Sequence, residues 1–166
     1  MKFIYPKILS TKVNIDKRGY LIETFKKKKL NVNFDYTILV FSKKKVFRGL
    51  HFQKKKQQEK LLIVTKGSII DYCIDLRKKS STYGKVFSAH ISSNNKIAVF
   101  IPKGFAHGYV SLCDSTCVHY KVDNYYKKSA EKGVKYDDPF LNIDWQLSKG
   151  EMIISKKDLS LSNYRW

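Results

Sequence analysis

Long apolar runs, arginine and cysteine are all scarce in this 166-residue chain. No segment holds the roughly 20 consecutive apolar residues that a membrane-crossing helix needs. The opening stretch MKFIYPKILS breaks its apolar residues with Pro6 and Lys7, so a secretory signal is not expected. Cys73, Cys113 and Cys117 are odd in number and match no paired ligand spacing, which argues against a disulfide framework or a structural zinc site and fits a reducing, cytoplasmic setting. Arginine occurs only at Arg18, Arg48, Arg77 and Arg165, although Lys and Arg together number 33 against 14 acidic residues, a formal charge of +19. Base-edge and bidentate phosphate recognition favour the planar guanidinium fork. The lysine runs Lys26–Lys29, Lys43–Lys45 and Lys54–Lys56 therefore read as a solvated surface, and neither a specific nucleic-acid partner nor a membrane partner is expected. A positive field of this kind still attracts small anionic substrates.

What the chain does have is apolar and aromatic material, 43% and 14% of its residues, enough for one core and one domain over residues 1–166. It comes in short β-branched and aromatic runs: Tyr36–Phe41, Leu61–Thr65, Ile69–Asp75, Lys85–Ser92, Ile97–Ile101 and Ser115–Val122. Between them lie turn-forming stretches: Lys66-Gly67-Ser68, Arg77 to Gly84, Ser92 to Asn95 and Pro102 to Gly108. No long amphipathic helix is visible; Thr24–Leu30 and Ser129–Lys132 have room for a turn or two each. The pattern is that of an all-β sandwich or small barrel. Strand alternation groups Val118, Tyr120 and Val122 on one face, with His119 and Lys121 on the other, so Tyr120 should point inward. The same parity puts Lys60 with Leu62 and Val64, on a face that parity alone does not assign.

Four segments carry chemistry: RGLHFQ (Arg48 to Gln53), IPKGFAHGY (Ile101 to Tyr109), HYKVDNYY (His119 to Tyr126) and SKKD (Ser155 to Asp158). Each has a plain alternative. A strand histidine is commonly a structural hydrogen-bonding group, an inward tyrosine commonly fills space, and Asp158 suits a surface loop or a helix cap. His107 can brace its turn, and Lys60 can extend its amine to water.

Taken in order, with DKRGYLIE, GSIIDYCIDLRKKSSTYGK and DDPFLNIDW, these segments resemble the dTDP-4-dehydrorhamnose 3,5-epimerase family, a branch of the cupin fold, over most of the chain. The resemblance implies a double-stranded β-helix, a jelly-roll barrel with a few short helices. It makes His51 the general base with Asp158 as its orienting carboxylate, Tyr120 the acid on the opposite ring face, and Lys60 a cation near the sugar's keto oxygen, with His107 in the same pocket. Arg18, Glu23, Arg48, Glu131 and Lys157 match positions that hold the nucleotide diphosphate or sugar, and Tyr125 is a further diphosphate contact. The chemistry fits these residue types. A ketone at C4 acidifies the C3 and C5 hydrogens because either carbanion delocalises onto oxygen. A nearby cation stabilises that enolate, and inversion needs one group to remove a proton and another to return one from the opposite face.

The resemblance also implies a nucleoside-diphosphate 4-keto sugar as substrate, surface-polysaccharide sugar biosynthesis as setting, and a homodimer whose amino-terminal strand is exchanged, with Arg18 and Glu23 reaching the partner's site. No cofactor is expected. The metal-binding cupins use two closely spaced histidines, whereas this chain reads His51-Phe52-Gln53, so no metal is expected. Two departures stand out. The family's Gln-Asp-Asn-like run ahead of RGLH is replaced by TILVFSKKK, and a basic residue soon after the Lys60 position is Ile63. A GDP-linked 4-keto-6-deoxy sugar or heptose inverted at C3 alone therefore stays open, as do a 3,4-ketoisomerase and a catalytically silent sugar-nucleotide-binding cupin.

Overall fold

Two antiparallel five-stranded sheets face each other across a shared apolar lumen. The computed structural model describes residues 4–165; Met1 to Phe3 of the opening stretch lie outside the described residues. The first sheet has the order β1 (Lys7–Ser10), β9 (Ile97–Ile101), β6 (Lys60–Lys66), β11 (Thr116–Val122) and β4 (Tyr36–Ser42). The second has the order β12 (Glu131–Gly133), β5 (Phe47–Gln53), β10 (Phe105–Ser111), β7 (Ser68–Asp75) and β8 (Val86–Ser92). A separate hairpin joins β2 (Val13–Asp16) to β3 (Gly19–Ile22). This is the expected jelly-roll barrel.

The lumen is filled by alternate residues of both sheets, among them Leu62, Val64, Val99 and Val118 from one and Ile69, Cys73, Ile91 and Phe105 from the other. Burying each such aliphatic or aromatic side chain contributes about 1.5–3 kcal/mol. Val118, Tyr120 and Val122 are buried while His119 and Lys121 are half-buried, as strand parity requires. Leu62 and Val64 sit in the lumen, so the face that parity left open for Lys60 is the inner one.

A second core covers the outer face of the second sheet. Trp145 packs edge-on against Phe47 and Tyr72, with ring centroids 5.0 and 4.6 Å away, and its indole N–H donates to the Tyr136 carbonyl at 3.1 Å. This packing holds the carboxy-terminal segment on the sheet as far as helix α2 (Lys156–Leu159). Helix α1 (Lys27–Leu30) closes a third cluster on the outer face of the first sheet, where Leu30 and Val32 meet Leu61 and Phe100.

All six expected strands form, with ends shifted by a residue or so. The turn at Pro102 and Gly104 delivers His107 onto β10 as expected, but the turn-forming stretch is shorter than Pro102 to Gly108, because Phe105 to Gly108 already pair in register with β7. Strands β1, β2, β3 and β12 have three or four residues each and are largely exposed, too short to show a period in the sequence. The possible helical turns appear as α1 and as a single 3-10 turn at Lys128–Ala130.

Candidate active site

The site begins with an irregularity in β5. Regular alternation would send Arg48 and His51 to opposite faces, yet both line one cleft. The β5–β10 register explains this: His107 pairs with His51 and Tyr109 with Arg48, so one residue of β10 faces two of β5. That is a β-bulge, and it turns the strand over between Arg48 and His51. Glycine makes it possible. Gly49 has φ +149°, and a Cβ placed there would lie 2.6 Å from the Gly108 Cα, while one on Gly108 would lie 2.7 Å from the Arg48 carbonyl oxygen.

His51 Nε2 lies 2.7 Å from Asp158 Oδ1, across 107 residues of sequence. Asp158 is carried by α2, whose first turn is capped by Ser155: its hydroxyl oxygen accepts the Asp158 backbone N–H at 3.1 Å. The capping residue is thus Ser155, and the Asp158 side chain is turned inward, 5% exposed. Burial opposes ionisation of Asp158, but hydrogen bonds from His51 and Ser155, the charge of His51 and the Gly49 backbone N–H together hold its carboxyl below the usual aspartate range. A histidine that shares an ionised carboxylate in this way has a fixed ring orientation and a partner for its protonated form.

Tyr120 stands on β11, in the sheet opposite, and lines the same cleft of about 250 Å³. Its ring packs edge-on to His107, with centroids 5.9 Å apart. Burial, with Tyr109 and Asp71 adding to it, pushes the phenol well above the ordinary tyrosine value, so it is a neutral donor throughout the physiological range. His107 is itself paired: its Nε2 lies 2.5 Å from Asp71 Oδ1, and both groups are buried. Asp71 was not singled out from sequence. The signal that would have found it is a carboxylate at an inward position of the apolar run SIIDYCID, two residues from Cys73. Lys60 also lines the cleft; burial lowers its amine below the usual lysine value, against the opposing influence of Cys73, Asp71 and Glu131.

Toward the cleft mouth, Arg48 donates to Ser42 Oγ at 3.1 Å and to the Phe41 carbonyl at 3.2 Å. Glu131 accepts from Lys157 Nζ at 2.5 Å and from the Tyr126 hydroxyl at 2.8 Å. Tyr126 thus joins the lining, whereas Tyr125 stacks on Tyr36 at 5.3 Å with 4° between planes. Arg18 and Glu23 lie elsewhere in the chain. Arg18, at the turn of the β2–β3 hairpin, pairs with Asp16 at 2.7 Å, and Glu23 pairs with Lys26. Among the described residues no group of three or more His, Cys, Asp or Glu side chains is set to hold a metal ion. The donor set does not fit one: His107 is committed to Asp71, and the Gln53 amide to the backbone of Lys56, Tyr125 and Lys127.

An apolar barrel holding a paired histidine on one wall and a buried phenol on the other, with cations beside them, has the make-up of a cupin-fold sugar epimerase. Comparison with known proteins makes the class specific: residues 6–165 match the family model for dTDP-4-dehydrorhamnose 3,5-epimerase, and the chain belongs to that family. It is 41% identical over 157 residues to the dTDP-4-dehydrorhamnose 3,5-epimerase of Methanothermobacter thermautotrophicus, a match covering 91% of this chain and 85% of that one. Among solved structures, the Bacillus anthracis dTDP-4-dehydrorhamnose 3,5-epimerase with TDP and PPi bound superposes with a TM-score of 0.92 at 37% identity, over 96% of this chain and 94% of that one. The Legionella pneumophila dTDP-6-deoxy-D-glucose-3,5-epimerase, in complex with dTDP-4-keto-L-rhamnose, superposes at 0.91 with 35% identity, over 95% and 87%.

Proposed function

We propose that the chain is a single-domain isomerase that inverts C3 and C5 of a nucleoside-diphosphate 4-keto-6-deoxy sugar in surface-polysaccharide biosynthesis. One observation carries this reading: His51, held by Asp158, and Tyr120 line a single cleft from facing sheets. In the proposed reaction His51 removes the hydrogen next to the keto group, and the electron pair moves onto the keto oxygen. Lys60 and His107 sit beside that oxygen and stabilise the enolate. Tyr120 then returns a proton to the other face, leaving the carbon inverted. Arg48 binds the diphosphate, with Lys157, Glu131 and Tyr125 around it. The proposed proton transfers and enolate stabilisation use side chains alone and call for no cofactor.

The same reading places the enzyme in the cytoplasm as a homodimer. No helix among the described residues is long and apolar enough to cross a membrane. The β2–β3 hairpin supports the dimer: Ile15, Tyr20 and Leu21 are 79%, 55% and 61% exposed, and Arg18 projects from its turn. Such a surface fits an arm that lays Arg18 and Glu23 against the partner's cleft. Mixing an inactive Arg18→Glu variant with an inactive His51→Asn variant should then restore part of the activity through hybrid dimers; no recovery despite subunit exchange would count against the crossed arm.

The reaction itself is tested by incubating the protein with a 4-keto-6-deoxy sugar nucleotide in deuterated water and following the products by NMR. Deuterium at C3 and C5 with new stereoisomers is the expected result. Label at C3 alone would restrict the activity to that carbon, label without inversion would point to keto-group isomerisation, and an absence of label would remove the reading.

A further inference from the structure

Arg48 and Lys60 both line the cleft, and Arg48 is the more exposed of the two. A side chain of that length has many rotamers open to it in water. Its guanidinium is nevertheless tied from behind. Nε donates to Ser42 Oγ at 3.1 Å and Nη2 to the Phe41 carbonyl at 3.2 Å, so the end of β4 holds one edge of the fork. The Ser42 hydroxyl lies in turn 2.9 Å from the Tyr109 hydroxyl. Ser42 and Tyr109 are 4% and 2% exposed and come from opposite sheets, on β4 and β10. A buried hydroxyl pair thus spans the barrel and ends on a charged group in the cleft.

Packing alone does not call for such a pair, because apolar groups of the same shape in both places are nearly neutral in stability. What the pair adds is orientation. Nε and one Nη2 hydrogen are engaged within the protein, while Nη1 makes no hydrogen bond among the described residues. We propose that Ser42 and Tyr109 are positioning residues that fix the angle of the Arg48 fork toward the phosphates of the sugar nucleotide, setting substrate affinity without taking part in proton transfer. This rests on the epimerase reading and adds to it two residues that act through Arg48. The physical basis is pre-organisation: freedom already removed from a side chain is not lost again when an anion binds.

The test measures the affinity of the full chain for dTDP by calorimetry, and KM and kcat for a dTDP-linked 4-keto-6-deoxy sugar. Ser42→Ala is expected to weaken dTDP and raise KM by about tenfold, and Tyr109→Phe by about threefold, with kcat in both within about twofold of the parent. The decisive comparison is made in Arg48→Lys, whose ammonium has no Nε–H to anchor. In that background Ser42→Ala should change neither affinity nor KM. The same tenfold loss there overturns the inference, because the hydroxyl would then act by a route other than Arg48. A lower melting temperature in Ser42→Ala with affinity and KM unchanged also overturns it, leaving the pair as a tie between sheets. Either failure, with deuterium exchange into the sugar intact, leaves the epimerase reading standing. Weaker dTDP binding in Ser42→Ala, when the parent chain exchanges no deuterium, keeps the positioning role and removes the epimerase reading.

Discussion

Two histidine–carboxylate pairs stand side by side on adjacent strands, and they differ in everything but chemistry. His51–Asp158 joins residues 107 apart, and the imidazole is 28% exposed to the cleft. His107–Asp71 joins residues 36 apart on neighbouring strands, and its members are 6% and 2% exposed. In the proposed reaction the open pair meets the substrate and returns its proton to water. The sealed pair keeps one arrangement and acts as a fixed part of the wall. Access to solvent, rather than residue type, is what separates the two pairs and fits only the open one to the proposed proton exchange.

The sharpest way to break that contrast is at the open pair and its counterpart. His51→Asn and Tyr120→Phe should each lower kcat by about 10³-fold or more with the fold intact, since both nearly conserve volume; circular dichroism and single-turnover kinetics check this. Asp158→Asn should cost less, about 10- to 100-fold, because the imidazole stays in place but loses its charged partner. At the sealed pair the main effect should be on stability. Asp71→Asn is expected to lower unfolding free energy by about 2 kcal/mol, read by urea denaturation, with a smaller loss of kcat than Asp158→Asn. Weakest of all, Ser155→Ala removes the α2 cap and should cost about 1 kcal/mol, with a modest fall in activity as Asp158 loosens.

The two limbs of the pH profile sharpen the comparison further. Asp158 is held below its usual range, so its contribution is complete above the ordinary aspartate value and fades only as pH falls through the lowered one. Mild acid should therefore leave its carboxylate ionised. On the alkaline side Tyr120 is pushed up and Lys60 pulled down, so Lys60 loses its charge first as pH rises. The alkaline limb of kcat/KM should lie below the ordinary lysine value and move upward in Lys60→Arg, whose cation persists. An unchanged limb in that variant would remove Lys60 as its source.

The barrel was legible in the sequence where strands are long enough to alternate. Tyr120 and its neighbours on β11 followed from parity alone, and β6 and β9 from their apolar runs. Parity failed where the chain departs from regular pleating: it does not bring Arg48 and His51 to one face, because the bulge at Gly49 is a property of two strands together. Asp158 was reachable only through family resemblance, since no local pattern links SKKD to RGLHFQ across the length of the barrel. Asp71 went unseen because a carboxylate in an apolar strand reads as a polar interruption until its partner across β10 is known. The hairpin strands β2 and β3 escaped notice for a different reason: exposed on nearly every side, they have no inner face to leave a period.

The bulge in β5 makes two residues that carry no side chain indispensable to the cleft. Gly49→Ala would leave every group assigned to the proposed chemistry in the chain, yet its added methyl would fall 2.6 Å from the Gly108 Cα on the neighbouring strand. Either the two strands part or the bulge is lost, and in both cases the imidazole and the guanidinium that it brings to one face are separated. The cleft can therefore be dismantled by a group that never touches a ligand.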